Sequence, residues 1–288
     1  MLFRSLVFLL GLPVLGLTAT LSWSIIASLW GAGALVAVLG FLDDRGHIAA
    51  RWRLLAHFSA AAWGLYCLGG MPLVLAFGES SYVANLLAVF YLVWLLNLYN
   101  FMDGIDGLAS IEALSVCLGG GLLILLQPLA SGDWVGLALL AVAVSGFLVW
   151  NFPPAKIFMG DAGSGFLGIA LGLFSLHAAS IAPQFLWSWL ILLGVFIVDA
   201  TWTLLRRFGR GEKVYEAHRS HAYQYAARHY GSHKTVSLAV AAINTFWLLP
   251  LALWVGLTKL HPLLGLLLAY LPLLSLAIYF RAGTRELS

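Results

Sequence analysis

The chain has 288 residues, of which 62% are hydrophobic and 9% are charged, and its formal net charge is +3. Soluble globular domains carry about 25% charged and about 45–50% apolar residues, so this composition excludes a water-soluble fold. Segments in hydrocarbon must satisfy their own backbone hydrogen bonds, which favours helices. The expected fold is therefore all-α: a polytopic transmembrane helical bundle that forms one integral membrane domain over residues 1–288.

About ten apolar runs long enough to cross a bilayer follow one another along the chain. The first run lacks a small-residue cleavage site and is interpreted as a membrane span rather than a signal peptide. The predicted spans are 2–21, 23–42, 54–70, 82–100, 107–126, 134–150, 163–182, 184–205, 235–257 and 262–280.

Lysine and arginine are distributed unequally between the two predicted sides. With the 43–53 loop inside and strict alternation of spans, fourteen of them fall on the inner side and only Lys259 falls on the outer side. Cytoplasmic loops carry an excess of Lys and Arg, so the inner side is predicted to face the cytoplasm. The same inner loops hold nearly all the polar motifs, which predicts an active site on the cytoplasmic face.

The first motif is Asp43-Asp44, at the end of the second span. Two adjacent carboxylates are costly at the edge of hydrocarbon. One interpretation is a solvated helix end with Arg45 as partner. The other is a metal-binding or acid–base pair beside a lipid substrate.

The second motif is a series of polar residues that ends the fourth span. They recur every three residues, so at helical spacing they drift slowly around one face. Helix capping would explain one of them but not four, and the intervening glycines allow a ligand to approach the backbone closely. We therefore predict a polar binding site formed by Asn97, Asn100, Asp103 and Asp106.

The third motif runs from Asn151 to Gly165, where Pro153-Pro154 end the sixth span. A glycine-rich helix start attracts phosphate through free N–H groups and the helix dipole. A carboxylate there would repel phosphate unless a cation lay between them, so Asp161 is interpreted as a ligand of Mg²⁺. Lys156 can add a positive charge. The spacing is not that of a Walker A loop, which excludes that type of ATPase.

The fourth motif, His218-Arg219-Ser220-His221, lies in a long basic loop. A zinc site would need a third ligand, and none has convincing spacing. We interpret the histidines as contacts to anionic phosphates. His229 and His233 are expected to be surface residues, whereas Asp199, inside the eighth span, is kept as a candidate.

In these four segments the chain resembles the polyprenyl-phosphate N-acetylhexosamine-1-phosphate transferases (glycosyltransferase family 4). The matching stretches occur in the family's order between residues 41 and 221: Phe41-Leu-Asp43-Asp44, Asn97-x-x-Asn100-x-x-Asp103-Gly-x-Asp106-Gly-Leu, Asn151-x-Pro-x-x-x-x-Phe158-Met-Gly-Asp161-x-Gly-Ser, and His218-x-x-His221. The last motif looks like the branch that starts O-antigen units on undecaprenyl phosphate. It differs from the three consecutive histidines of the phospho-MurNAc-pentapeptide translocase branch, which remains an alternative.

The resemblance implies a role for each motif. Asp161 would hold Mg²⁺, with Mn²⁺ as a substitute, and Asp43 and Asp44 would ionise or position the lipid phosphate. His218 and His221 would contact phosphates, and Arg53 falls near a basic position of the family. The pocket for the uridine and diphosphate would be lined by Asn100, Asp103, Asp106, Asn151 and Phe158, with Phe158 stacked on the uracil.

The implied reaction transfers a HexNAc-1-phosphate from a UDP-sugar to undecaprenyl phosphate and releases UMP. The reaction would take place at a bacterial inner membrane and would involve no nucleic acid. The sequence leaves both a monomer and a homodimer open. Direct attack by the lipid phosphate and an aspartyl-phosphate intermediate both remain open. A secondary transporter is the alternative from another class, although transporters usually place polar groups near the membrane midplane in related repeats. Family members usually begin with a further helix and a basic Gly-Gly loop, so the chain as written is expected to bind UDP-sugar weakly.

Overall fold

The computed structural model describes residues 3–46, 48–71, 81–127, 132–212, 218–258 and 260–285. Lys213 and Lys259, two of the residues in the charge count, lie outside these ranges. All regular structure within the ranges is helical, which confirms the all-α fold. The helices are α1 (Phe3–Leu17), α2 (Trp23–Asp43), α3 (Ala50–Cys67), α4 (Ser81–Met102), α5 (Leu108–Leu125), α6 (Trp134–Asn151), α7 (Gly160–Ile181), α8 (Gln184–Leu192), α9 (Gly194–Phe208), α10 (Ala222–Tyr230), α11 (His233–Ile243), a π-helical turn (Asn244–Leu248), α12 (Leu249–Leu257) and α13 (Pro262–Tyr279).

The described residues contain seven helices that are long and apolar enough to cross a membrane, or eight if α8 and α9, bent by 72° at their junction, form one span. The chain is thus a multi-span membrane protein, but the predicted count of about ten is not confirmed. Helix α1 has 15 residues, which at 1.5 Å per residue reach only about 22 Å. Helix α3 carries Arg51, Arg53 and His57 in its first half, and these residues lower its hydropathy.

Helix α7 lies at the centre of the bundle, packed against α2 and α4. Of its most apolar 18-residue window, 83% is buried. Glycines permit the close approach: a Cβ at Gly40 of α2 would lie 2.4 Å from the Ala162 backbone, and one at Gly168 of α7 would lie 2.7 Å from Leu96 Cα. These contacts bring the ends of α2 and α4 to the first turn of α7. The first three motifs therefore meet at one end of the bundle.

Candidate active site

A guanidinium joins two of the carboxylates that the sequence singles out. Arg53 Nη1 lies 2.6 Å from Asp43 Oδ2 and 3.5 Å from Asp161 Oδ2. The other oxygen of Asp43 accepts a hydrogen bond from the Ile48 N–H at 2.7 Å. Only 6% of the Asp43 side chain is exposed. Asp43 is therefore engaged on both oxygens, and its geometry suits holding Arg53 in place.

Asp161 is held by contacts from two other helices. Its backbone N–H donates to Asp44 Oδ1 at 3.2 Å, so the exposed Asp44 carboxylate lies at the N-terminus of α7. Asn100 Nδ2 donates to Asp161 Oδ1 at 2.9 Å and to Ser164 Oγ at 3.1 Å. Gly160 has a φ of +65°, and a Cβ there would lie 2.8 Å from Asp44 Oδ2. The glycine thus allows both the turn into α7 and the approach of Asp44.

Two clefts open on this cluster. The first, which we call the apolar-walled cleft, has a volume of about 130 Å³. One wall is formed by aliphatic side chains of α2, α3 and α4. Its polar lining consists of Asp43, Arg53, His57, Asn97, Asn100 and Asp161.

The second cleft, which we call the polar cleft, has a volume of about 350 Å³. It shares Asn100 and Asp161 with the apolar-walled cleft, so the two clefts meet at these residues. Its other polar or aromatic lining residues are Asp103, Asp106, Asn151, Phe158, Ser164 and His233.

Asn151 and Asp106 hold the segment between α6 and α7 in place. Asn151 is 4% exposed. Its Oδ1 accepts from Gly107 N–H and Ser110 Oγ, each at 3.2 Å, and its Nδ2 donates to the Ile157 carbonyl at 3.0 Å. Asp106 Oδ2 accepts from the Ala155 N–H at 3.1 Å. The wall of the polar cleft is therefore fixed by hydrogen bonds between the second and third motifs.

Phe158 and Lys156 project from this segment. Phe158 lines the polar cleft, and 64% of its surface is exposed. Its ring face is therefore available for stacking on a ligand. Lys156 is exposed, and its ammonium lies 5.4 Å from the centroid of the Trp150 ring. Lys156 is absent from the described lining of both clefts.

The histidine motif is anchored by Asp199, which is 6% exposed. Asp199 Oδ1 accepts from the Ala222 N–H at 2.9 Å and lies 3.3 Å from His221 Nδ1, and its Oδ2 accepts from the Tyr223 N–H at 3.0 Å. The carboxylate thus satisfies the first free N–H groups of α10, as a helix N-terminus requires. This contact fixes the start of α10 and the His221 ring together.

His218 and His221 stack on each other with ring centroids 4.8 Å apart, and each ring centroid lies 6.4 Å from that of Phe101. The motif therefore adjoins the end of α4, next to Asn100. Burial, followed by the nearby His221 and Arg207, lowers the pKa of His218 from 6.5 to about 4. His218 is consequently neutral near pH 7. Within the described residues, neither histidine lines the two clefts.

The structure adds two residues that sequence reasoning did not place in the site. His57 lines the apolar-walled cleft, and its position one helical turn after Arg53 was the available signal. His233 is partly exposed, but it also lines the polar cleft, with Nδ1 3.4 Å from Asp106 Oδ1. No local pattern marks His233, because 127 residues separate it from Asp106.

The described residues contain no group of three or more His, Cys, Asp or Glu side chains arranged to hold a metal ion. A closed protein cage is therefore absent from that part of the chain. Magnesium, however, usually keeps several waters and uses one or two carboxylates together with substrate phosphates. Asp161, which lines both clefts, and the exposed Asp44 carboxylate beside it have donor chemistry that fits this second arrangement.

The fold and this arrangement of motifs agree with the comparison to known families. Residues 26–179 match the model of glycosyl transferase family 4, and the chain belongs to that family. The matched range contains the first three motifs, whereas His218 and His221 lie beyond it.

Three curated relatives illustrate the similarity. The chain is 32% identical over 220 residues to a probable undecaprenyl-phosphate N-acetylglucosaminyl 1-phosphate transferase of Bacillus subtilis, covering 73% of this chain and 60% of the relative. It is 32% identical over 243 residues to a decaprenyl-phosphate N-acetylglucosaminephosphotransferase of Mycolicibacterium smegmatis, covering 73% and 58%. It is 31% identical over 201 residues to a phospho-N-acetylmuramoyl-pentapeptide-transferase of Lactococcus lactis, covering 62% and 56%. The matches thus span somewhat less than two thirds of these relatives.

Proposed function

We propose that this protein transfers a HexNAc-1-phosphate from a UDP-sugar to a polyprenyl phosphate, with undecaprenyl phosphate as the acceptor, and releases UMP. The names of the relatives from Bacillus subtilis and Mycolicibacterium smegmatis support a polyprenyl-phosphate acceptor and an N-acetylglucosamine phosphate group. A role in starting O-antigen or another envelope polysaccharide belongs to the same proposal, and rests on the resemblance of His218-Arg219-Ser220-His221 to that branch.

The observation that carries the proposal is the meeting of the two clefts at Asn100 and Asp161. A transferase must bring two substrates together at one reacting group. The apolar-walled cleft offers aliphatic surface beside Arg53, which suits a phosphate attached to a hydrocarbon chain. The polar cleft offers amides, carboxylates and the exposed Phe158 ring, which suits a nucleotide and its diphosphate. The shared residues lie where the two phosphates would meet.

In this arrangement the lipid phosphate lies in the apolar-walled cleft with Arg53 as its counter-charge. One of its oxygens attacks the β-phosphorus of the UDP-sugar. The bond from the β-phosphorus to the bridging oxygen breaks, and UMP leaves with the electron pair. Since Asp43 is already bonded on both oxygens, we assign it to positioning Arg53. Direct attack by the lipid phosphate then needs no rearrangement of Asp43, whereas an aspartyl-phosphate at Asp43 would first require Arg53 to move.

Asp161, with Asp44 beside it, would hold Mg²⁺ together with substrate phosphates. The ion would offset negative charge on the phosphates, the main electrostatic obstacle in phosphoryl transfer. Asn100 orients Asp161 through its 2.9 Å hydrogen bond. His218, which is neutral near pH 7, and His221 would approach the phosphates as hydrogen-bonding groups beside the end of α4.

We place the site on the cytoplasmic side of a bacterial inner membrane, which the asymmetry of Lys and Arg supports. Single cysteines at Ser22 and His229, in a background without Cys67 and Cys117, test this orientation. A membrane-impermeant thiol reagent added to intact cells should label the cysteine at Ser22 and not the one at His229. The reverse pattern would move the active face to the outside.

The transfer itself is tested with the purified full-length chain, undecaprenyl phosphate, Mg²⁺ and a panel of UDP-sugars that includes UDP-MurNAc-pentapeptide. We expect UMP and a lipid-linked sugar phosphate to form in equal amounts from a UDP-HexNAc. His221→Gln should lower the rate about 100-fold, the usual loss when one hydrogen bond to the reacting phosphates is removed, while His229→Gln, at an exposed histidine of α10, should not. Product from UDP-MurNAc-pentapeptide alone would instead assign the translocase reaction. Solute uptake into vesicles without UMP release would favour a transporter.

A further inference from the structure

A second charged cleft lies apart from the candidate active site. Its volume is about 740 Å³, and its described lining residues include none that line the apolar-walled or polar clefts. We call it the basic cleft. Five of its eight described lining residues are arginines and none is acidic: Arg206, Arg219, Tyr225, Arg228, Ile278, Arg281, Thr284 and Arg285.

Hydrogen bonds build this cleft from three separate parts of the chain. Arg206 Nη1, at the end of α9, donates to the Ala282 carbonyl at 2.9 Å. Gly283 N–H donates to the Ser220 carbonyl at 2.6 Å, which ties the segment after α13 to the histidine motif. Arg228 Nη2 donates to the Arg219 carbonyl at 3.0 Å, and its guanidinium lies 4.4 Å from the Tyr225 ring centroid. The guanidinium groups of Arg206 and Arg228 are therefore held by defined contacts, and these contacts join the three chain segments that form the cleft.

Arg281 supplies a second observation. Its φ of +56° is left-handed, in a position just after a helix where glycine is usual. A non-glycine residue there carries strain, and such strain tends to persist where it serves a site. The five guanidinium groups also repel one another, although that of Arg285 lies 3.9 Å from Glu212 Oε1, and such repulsion destabilises the compact state. An anion that occupies the cleft would offset this repulsion, and the left-handed turn at Arg281 holds the end of α13 against the cleft.

The position of the cleft indicates which anion. Ile278 lines the cleft and is 51% exposed, and Tyr279 beside it is 71% exposed. Both belong to the last turn of α13, which is a candidate membrane span. The apolar outer surface of that helix, including Leu271, which is 58% exposed, thus leads directly to the basic cleft. Basic clusters at the cytoplasmic end of a membrane helix recruit anionic lipid headgroups.

We infer that the basic cleft binds the headgroup of an anionic phospholipid, whose acyl chains lie along the exposed face of α13. The site is separate from the acceptor-phosphate position of the proposed function. An occupying headgroup contacts Arg219, between His218 and His221, and so braces the histidine motif from outside the active site.

The test is native mass spectrometry of the full chain, released from nanodiscs that contain equal amounts of phosphatidylcholine and phosphatidylglycerol. The wild-type protein should retain phosphatidylglycerol in preference to phosphatidylcholine. Arg228→Gln and Arg281→Gly should each reduce that retention roughly fivefold, and Arg281→Gly also places glycine in the left-handed position, so folding should be preserved. The matched control is Arg51→Gln, an exposed arginine outside the lining of all three clefts, which should retain lipid like wild type.

Two competition arms identify the source of the phosphate. Soluble glycerol 1-phosphate at millimolar concentration should leave phosphatidylglycerol bound, because it lacks the acyl chains that α13 contacts. Undecaprenyl phosphate should bind in addition to phosphatidylglycerol. Displacement by either compound, or equal retention in Arg51→Gln and both cleft variants, would overturn the inference. Lipid retention does not depend on catalysis, so these outcomes are separate from failure of the transferase assay.

Discussion

Arg53 and Asp43 form an ion pair of 2.6 Å, and the same Arg53 nitrogen lies 3.5 Å from Asp161. One guanidinium therefore connects the end of α2, the start of α3 and the first turn of α7. The pair joins residues ten positions apart, and the hydrogen bond from the Ile48 N–H to Asp43 holds the turn between them. This geometry makes Arg53 the positive centre of the site, with Asp43 as its support.

Substitutions of Arg53 and Asp43 should be coupled. Arg53→Gln and Asp43→Asn should each lower the transfer rate, but the double variant should lose less than the sum. Residues in direct contact show coupling energies of about 0.5–3 kcal/mol. A double-mutant cycle on kcat/KM measures this, with Arg51→Gln in place of Arg53→Gln as the control pair. Additive losses in the Arg53–Asp43 cycle would rule out the supporting role of Asp43.

Gly160→Ala should impair the site. The left-handed backbone costs a non-glycine residue about 1–2 kcal/mol, and the new methyl would sit 2.8 Å from Asp44 Oδ2. We expect the transfer rate to fall at least tenfold as Asp44 and Asp161 separate. Gly146→Ala, in α6, is the control, since a Cβ there meets nothing within 4 Å, and it should be neutral or slightly stabilising. Equal rates for both variants would mean that the Asp44 contact is unimportant.

Asp161→Asn should preserve the fold and remove most activity. The amide keeps an oxygen that can accept from Asn100, but it loses the charge proposed to hold Mg²⁺. Chelation with EDTA should inactivate wild type, and added Mg²⁺ should restore it, with Mn²⁺ as a substitute. Asp133→Asn, on the helix-connecting segment before α6, serves as the control for loss of one carboxylate. Full turnover in EDTA would refute the metal hypothesis.

Asp199→Ala should lower both stability and activity. It leaves the Ala222 and Tyr223 N–H groups without their acceptor, and each buried unsatisfied group costs about 1–3 kcal/mol. Thr203→Val is the matched control, because it removes only the 3.1 Å bond from Thr203 Oγ1 to Asp199. Thermal unfolding in detergent measures stability, and the rate per folded molecule measures the positioning of His221. Unchanged turnover of the folded fraction would leave Asp199 with a purely structural role.

The low pKa of His218 predicts acid sensitivity of the fold. The unfolded chain takes up this proton below about pH 6.5, whereas the folded chain takes it up only near pH 4. The stability contributed by neutral His218 is therefore complete above pH 6.5 and is lost as the pH falls toward 4. The unfolding temperature should decline over this window, and His218→Gln should reduce the decline. An unchanged pH slope in His218→Gln would contradict the assignment.

The sequence by itself determined the class of structure and the identity of most polar residues near the site. Composition alone required helices in a membrane, because 62% apolar residues cannot be buried in a soluble domain of this size. The motifs marked Asp43, Asn100 and Asp161 as a group, because each interrupts or ends an apolar run at the same predicted side. These signals are local in the sequence, so they can be recognised without knowing how the helices pack.

Tertiary structure decided which of these residues touch and what each contact does. The Arg53–Asp43 pair, the Asp199 anchor of α10 and the approach of His233 to Asp106 join residues that are 10 to 127 positions apart. The 72° bend between α8 and α9 likewise decides whether the described residues contain seven spans or eight. The hydrophobic periodicity of the sequence indicates which face of a helix is apolar, but it does not indicate which neighbouring helix packs against that face. That choice is made by side-chain packing, such as the fit of Gly40 against Ala162 that brings Asp44 to the first turn of α7.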